Sequence, residues 1–207
     1  MTAAKQTRGE TTRLAILEAA ERLFADIGFA EATLDKVAEA VGIRRPSVLY
    51  YFSSKQDLYD AVEDSLFTEM HHVATEYVER AQDPFSRLLA LLDAWLDFHV
   101  ARPTAARIIQ RLIADVTPRH GNPVEYSWSA LGDIDRVVKD GVRSGSFRQV
   151  TAIEVLNGVA GSVLFHVCNG GQVGEDFRYD PSDPVELARF RELLHRLAAA
   201  AVLPQAD

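Results

Sequence analysis

Apolar residues recur along this chain at three- and four-residue steps, the spacing of helices with one buried face, and nowhere form a convincing pair of alternating strands. From Thr12 to Ile27 the positions Ile16, Leu17, Ala20, Leu23, Phe24 and Ile27 trace one such face, and Gly28 is placed to end the helix as a left-handed cap. Thr33 is an N-cap candidate for a second, short helix that carries Asp35 in its first turn and Leu34, Val37, Ala38 and Val41 before Gly42. A third helix begins a few residues later with Pro46 in its first turn, where a missing N–H breaks no bond. Ser53 with Gln56, or Ser54 with Asp57, supplies a capping box for a fourth and longer helix reaching about Ala81.

The same pattern continues. A helix from Phe85 to Ala101 sets Leu88, Leu89, Leu92, Trp95 and Leu96 against a polar stripe of Ser86, Ala90, Asp93 and Asp97, and Arg102-Pro103 stops it. Further helices are expected over 104–116, 123–144, 151–168 and 183–202, with loops over 117–123 and 169–184. Phe147-Arg148-Gln149-Val150 is too short and unpartnered to imply a sheet. The fold class is therefore all-α.

Charge changes the picture by its placement. The 207 residues carry a formal net charge of −8, which by itself argues against a phosphate-backbone partner. Yet residues 1–55 hold eight basic against seven acidic residues, and the remainder holds 14 against 23. An acidic body behind a near-neutral head with a basic edge can bind DNA locally while the body suppresses loose binding. One cysteine, Cys168, leaves no intrachain disulfide, and the longest unbroken apolar runs fall short of the roughly 20 residues that span a bilayer. A cytoplasmic chain without a membrane partner is the expectation.

Val37, Ala38, Val41, Gly42, Ile43, Val48 and Tyr51 are apolar or small where two short crossing helices must touch, a helix-turn-helix pattern. Its second helix would face Arg44, Arg45, Ser47, Leu49 and Tyr50 outward, with Tyr51 and Phe52 holding the motif together. Arginine suits guanine or phosphate, hydroxyls suit phosphate, and leucine suits a thymine methyl. Lys55, with the first N–H groups of the fourth helix, would clamp a phosphate. The competing reading is a solvated charged face over a small core.

Ile16 to Ala20, Leu23-Phe24, Gly28-Phe29, Thr33, Val37-Ala38, Ala40 to Ile43, Tyr51-Phe52 and Ser54 to Leu58 together resemble the DNA-binding domain of TetR-family transcriptional regulators. The resemblance implies an N-terminal helix-turn-helix domain over residues 1–54, Thr33 among the DNA contacts, and a helical effector-binding and dimerisation domain over residues 55–207. It also implies a homodimer formed through the last two long helices on a palindromic double-stranded DNA operator. Arg44 departs from the small hydroxyl residue usual at the start of the recognition helix, and Leu49 stands where the family usually has tyrosine, leaving Tyr50 as the hydroxyl donor.

On that resemblance Val155, Leu156, Val159, Ala160, Val163, Leu164 and Val167, with Leu187, Phe190, Leu194 and Leu197, form the dimer stripes, and Gly158 and Ala160-Gly161 permit close approach; an intrachain core is the alternative. Trp95, Phe98, His99, Ile108, Leu112, Trp128 and Phe165 are the candidate wall of a pocket for a small apolar or aromatic effector. Adjacent His71-His72, and His166 with Cys168, point to different helix faces and make poor metal ligands. Asp93 and Asp97 read as a solvated face, and neither a nucleophile elbow nor a phosphate-binding loop is present. No metal, cofactor or catalytic residue is expected. The leading reading is a repressor whose effector changes the spacing of two recognition helices through the fourth helix; the rivals are an effector-independent DNA-binding module and a helical enzyme or scaffold.

Overall fold

The computed structural model describes residues 8–114 and 128–204, without the side chain of Trp128, so the expected loop over 117–123 and the start of the following helix lie outside the described residues. Among the described residues the regular elements are all helical, as the periodicity requires. They form two compact units, the first ending at Leu66 and the second beginning at Phe67.

In the first unit, α1 (Arg8–Glu31) buries Ile16, Ala20 and Phe24, while Leu17 and Leu23 are half-buried and Ile27 is exposed. Gly28 breaks the helix, though not as the left-handed cap expected: its φ of 78° and ψ of 169° lie in a region that glycine alone enters readily. Thr33 caps α2 (Leu34–Val41) as expected, its Oγ1 accepting from the Lys36 N–H at 3.3 Å. At the far end Gly42 adopts φ 74°, ψ 31°, and the N–H groups of Gly42 and Ile43 donate to the carbonyls of Glu39 and Ala38. This left-handed cap turns the chain into α3 (Arg45–Tyr51). Ser54, rather than Ser53, accepts the Asp57 N–H at the start of α4 (Lys55–Val78). Phe24, Phe29 and Tyr59 pack edge-on and stacked, with centroids 4.7 to 6.1 Å apart, joining the end of α1 to the first turns of α4.

The second unit is built round α5 (Pro84–Ala101), which packs against α6 (Pro103–Ala114), α7 (Trp128–Arg143), α9 (Gly161–Asn169) and α10 (Pro184–Val202). Its leucines 88, 91, 92 and 96 are fully enclosed, each stabilising the fold by roughly 1.5–3 kcal/mol. Asp83 and Asp183 cap α5 and α10, each with one carboxylate oxygen accepting two backbone N–H groups, and Thr151 with Glu154 forms a reciprocal capping box at α8 (Ala152–Val155). The single helix expected over 151–168 is interrupted: Leu156–Ala160 form a π-helical turn between α8 and α9. Such a turn inserts one residue and rotates the faces beyond it by about 100°. The loop before α10 contains a short 3-10 turn, Glu175–Phe177.

Candidate nucleic-acid interface and effector site

Val48 is the anchor of α3. It is fully buried, as are Val37 and Ala38 of α2, the helix on which α3 packs, and this fixes which sides of a two-turn helix can meet solvent. Tyr50 is 83% exposed, Leu49, Arg44 and Arg45 are exposed, and Ser47 is half-buried at the edge. Arg45 lies 3.8 Å from Asp35 on α2, a pair open to water on both sides and therefore worth little to stability. Tyr51 packs edge-on against Tyr50 at 5.1 Å, and Phe52 is buried beneath the guanidinium of Arg13 at 5.1 Å. The Thr33 hydroxyl accepts its capping bond and keeps its own hydrogen for another acceptor.

Lys55 is used otherwise than expected. Its ammonium donates to the carbonyls of Phe29 at 2.8 Å and Ala30 at 3.3 Å and sits 4.3 Å from the centre of the Phe29 ring. These carbonyls follow the Gly28 break, so the charge fastens α4 to α1, with one of the three ammonium hydrogens left over from these two bonds. Sequence reading also passed over Arg13 and Lys36, two exposed cations of this unit; Lys36 Nζ donates to the Glu31 carbonyl at 3.0 Å. A count of outward positions on α1 and α2 would have found them.

In the second unit, the candidate effector residues Trp95, Phe98 and His99 on α5 and Ile108 on α6 are all buried, and Leu112 is half-buried. Phe165 is not among them. It is 63% exposed on the outer side of α9, while His166 points inward and stacks on Phe190 at 3.8 Å and Tyr179 at 4.9 Å. Helical phase explains both: Val159, Val163 and His166 share the inner face, which leaves Phe165 outside.

His99 is 3% exposed, and its Nδ1–H donates to the Trp95 carbonyl at 2.6 Å, an oxygen that can only accept. Its Nε2 is thus a lone-pair acceptor. Burial pushes the imidazole down to about 4, so the ring is neutral near pH 7. Trp95 Nε1, one helical turn away, is likewise enclosed; neither atom has a hydrogen-bond partner among the described residues.

The carboxylates on the opposite stripe of α5 are no solvated face. Asp93 accepts from Arg191 Nη1 and His195 Nε2, both at 2.8 Å, while Asp97 accepts from Arg191 Nη2 at 2.5 Å and the Tyr77 hydroxyl at 3.0 Å. This half-buried network ties α5 to α10 and to the last turn of α4. His71 donates to the buried Asp133 of α7 at 2.6 Å and, like His72, joins no metal-binding cluster among the described residues.

The apolar stripes assigned to a partner chain also need correction. Val155, Val159, Ala160, Val163, Val167 and Leu194 are buried within the chain itself, because the inward face of α8–α10 is an intrachain core. The outward face carries Ile153, Phe165, Val185 and Leu193, which that assignment did not include, together with Leu197, Gly158 and Gly161, which it did. By length and composition Ala152–Asn169 could cross a membrane, which a search for unbroken apolar runs did not detect; a third of it is buried against the rest of the chain.

Comparison with known proteins matches this architecture. Residues 16–62 match the family described as bacterial regulatory proteins, tetR family, and residues 84–197 match the tetracyclin repressor-like C-terminal domain. The uncharacterised HTH-type transcriptional regulator YhgD of Bacillus subtilis is 26% identical over 134 residues, covering 64% of this chain and 70% of its own. The HTH-type transcriptional regulator TtgR of Pseudomonas putida is 37% identical over 84 residues, and there the alignment spans 40% of each chain. The crystal structure of the transcriptional regulator FadR from Bacillus subtilis in complex with stearoyl-CoA shares the fold with a TM-score of 0.75 at 15% identity, covering 91% of this chain and 98% of that one. These relatives are transcriptional regulators and not enzymes. With one family match at the helix-turn-helix and a second spanning more than half of its length, the chain belongs to the TetR family of DNA-binding transcriptional regulators.

Proposed function

We propose that this regulator is a ligand-responsive repressor that binds a palindromic operator as a homodimer and is released by a small, largely apolar effector. The division of labour runs at residues 54 and 55, with DNA recognition before it and effector binding and dimerisation after it. In this reading Arg44, Arg45 and Leu49 meet base edges or phosphates in the major groove, and Thr33, Ser47 and Tyr50 donate hydroxyls to the backbone. Lys55 contributes by holding the end of α1 in place. The observation that carries effector binding is the enclosed, mostly apolar face of α5 on which Trp95 and His99 keep unpartnered polar atoms. The FadR relative's complex with stearoyl-CoA supports a small-molecule site in this fold. The outward face of α8–α10 supports a two-fold dimer, since exposed apolar residues with glycines between them allow two such faces to approach closely.

Binding to a palindromic fragment from upstream of the protein's own gene, titrated across salt by fluorescence anisotropy, tests the operator reading, and sedimentation tests the dimer. A preference over competitor DNA at moderate salt, with one dimer per palindrome, is expected. Loss of that preference, or binding by monomers, would remove the proposal.

A further inference from the structure

Trp95 and His99 lie one turn apart on the same side of α5, while Asp93 and Asp97 lie about 200° round the helix from them and are committed to Arg191, His195 and Tyr77. The first pair therefore faces away from the α10 network. Indole Nε1–H is a donor only; His99 Nε2 is an acceptor only, because Nδ1 carries the proton given to the Trp95 carbonyl. Folded chains keep few enclosed polar atoms unmet, since each forfeits its hydration without return. Here two of opposite kind stand on one turn. The other enclosed histidine nitrogen without a partner, His166 Nε2, belongs to a different helix, α9, on a ring stacked against Phe190 and Tyr179.

The choice of ligand follows from what each chemical class would leave unmet. A hydrocarbon satisfies neither atom. A carboxylate accepts from Trp95 but presents a lone pair to the lone pair of His99, and among the described residues no lysine or arginine is buried to answer its charge. A hydroxyl group both donates and accepts. Resting on the ligand-responsive reading above, we infer that the effector is an uncharged alcohol or phenol with an apolar body, its oxygen accepting from Trp95 Nε1–H and its hydrogen donated to His99 Nε2. Phe98 and Ile108, both buried, stand beside this turn and on the helix packed against it, and suit the apolar body.

Calorimetric titration of the full chain near pH 7 with para-butylphenol, decanol, butylbenzene and para-butylbenzoate tests the inference. The expected result is that one hydroxyl compound binds about tenfold or more tighter than butylbenzene and than the benzoate, from two hydrogen bonds of ordinary net strength. Whether the phenol or the decanol is tighter then says which kind of hydroxyl is preferred. Trp95→Phe and His99→Phe should each cut that preference, read as the ratio of hydroxyl-compound to butylbenzene affinity, to about threefold or less, with the folding of each variant checked by its urea unfolding transition. Equal binding of butylbenzene, tighter binding of the benzoate, or a preference that survives both substitutions would overturn the inference while leaving an effector site in place. Binding of none of the four compounds would count against the ligand-responsive reading itself, and the inference would fall with it.

Discussion

The two units place their polar groups differently, although each encloses some: Glu21 and Glu63 are buried in the helix-turn-helix unit, His99, Asp133 and His166 in the larger one. In the helix-turn-helix unit the described cations other than half-buried Lys55 stay at the surface: Arg45 shares water with Asp35, Arg13 lies over Phe52, and Arg44 projects from the start of α3. In the larger unit polar groups are drawn inward, to the Arg191 network between α5 and α10, to Asp133 beneath His71, and to the unpartnered atoms of Trp95 and His99. The difference suits the two tasks. A surface that must meet phosphate keeps its charges hydrated and weakly paired, so that exchanging a carboxylate for DNA costs little. On the proposed function, a domain that selects a small molecule and fixes its own helix packing uses polar groups where water is excluded and each bond discriminates more.

The sharpest break in this comparison is a pH series. With His99 held near 4 in the folded chain and 6.5 as its ordinary value, the unfolded chain binds the additional proton between these limits. Its contribution to stability is therefore complete above about pH 6.5 and is lost progressively as pH falls towards 4, by about 3 kcal/mol at most. Urea unfolding from pH 7 to pH 4 should show this loss relative to His99→Phe. Parallel curves for the two proteins would contradict the buried neutral ring.

Next in size is Arg191→Ala, which strands Asp93 and Asp97 in half-buried positions and should cost about 2–3 kcal/mol in the same unfolding measurement. A loss below about 0.5 kcal/mol would return these aspartates to the class of solvated pairs. Lys55→Met should cost about 1 kcal/mol, because it leaves the Phe29 and Ala30 carbonyls without their shared donor, yet leave the salt dependence of DNA binding unchanged. A salt slope lower by about one would instead restore Lys55 as a phosphate contact. The smallest stability effect belongs to Asp35→Ala. The exposed pair with Arg45 predicts less than about 0.5 kcal/mol, with operator affinity equal or slightly higher as Arg45 is released.

Sequence legibility follows the reach of each interaction. Thr33 and Gly42 are readable because a cap is completed within three or four residues, and Val48 because two short helices leave it no other side to face. The carbonyl contacts of Lys55 are not legible because the partners lie about 25 positions back, beyond the Gly28 break. Asp93 and Asp97 carry no mark of Arg191 or His195, some hundred residues on. The stripes on α8 and α9 were inverted for another reason. A segment apolar on nearly all sides does not declare whether its own chain or another covers a given face, and within α9 the faces of Val163, His166 and Val167 turn inward and leave Phe165 outside.

The central claim is that effector and operator compete through one protein. Operator affinity measured against effector concentration, and effector affinity measured with and without operator, test it together. A tight-binding hydroxyl compound should weaken the operator by some factor, and saturating operator should weaken that compound by the same factor. A compound that binds tightly with no change in operator affinity would contradict the account and leave a DNA-binding module whose second unit serves structure alone.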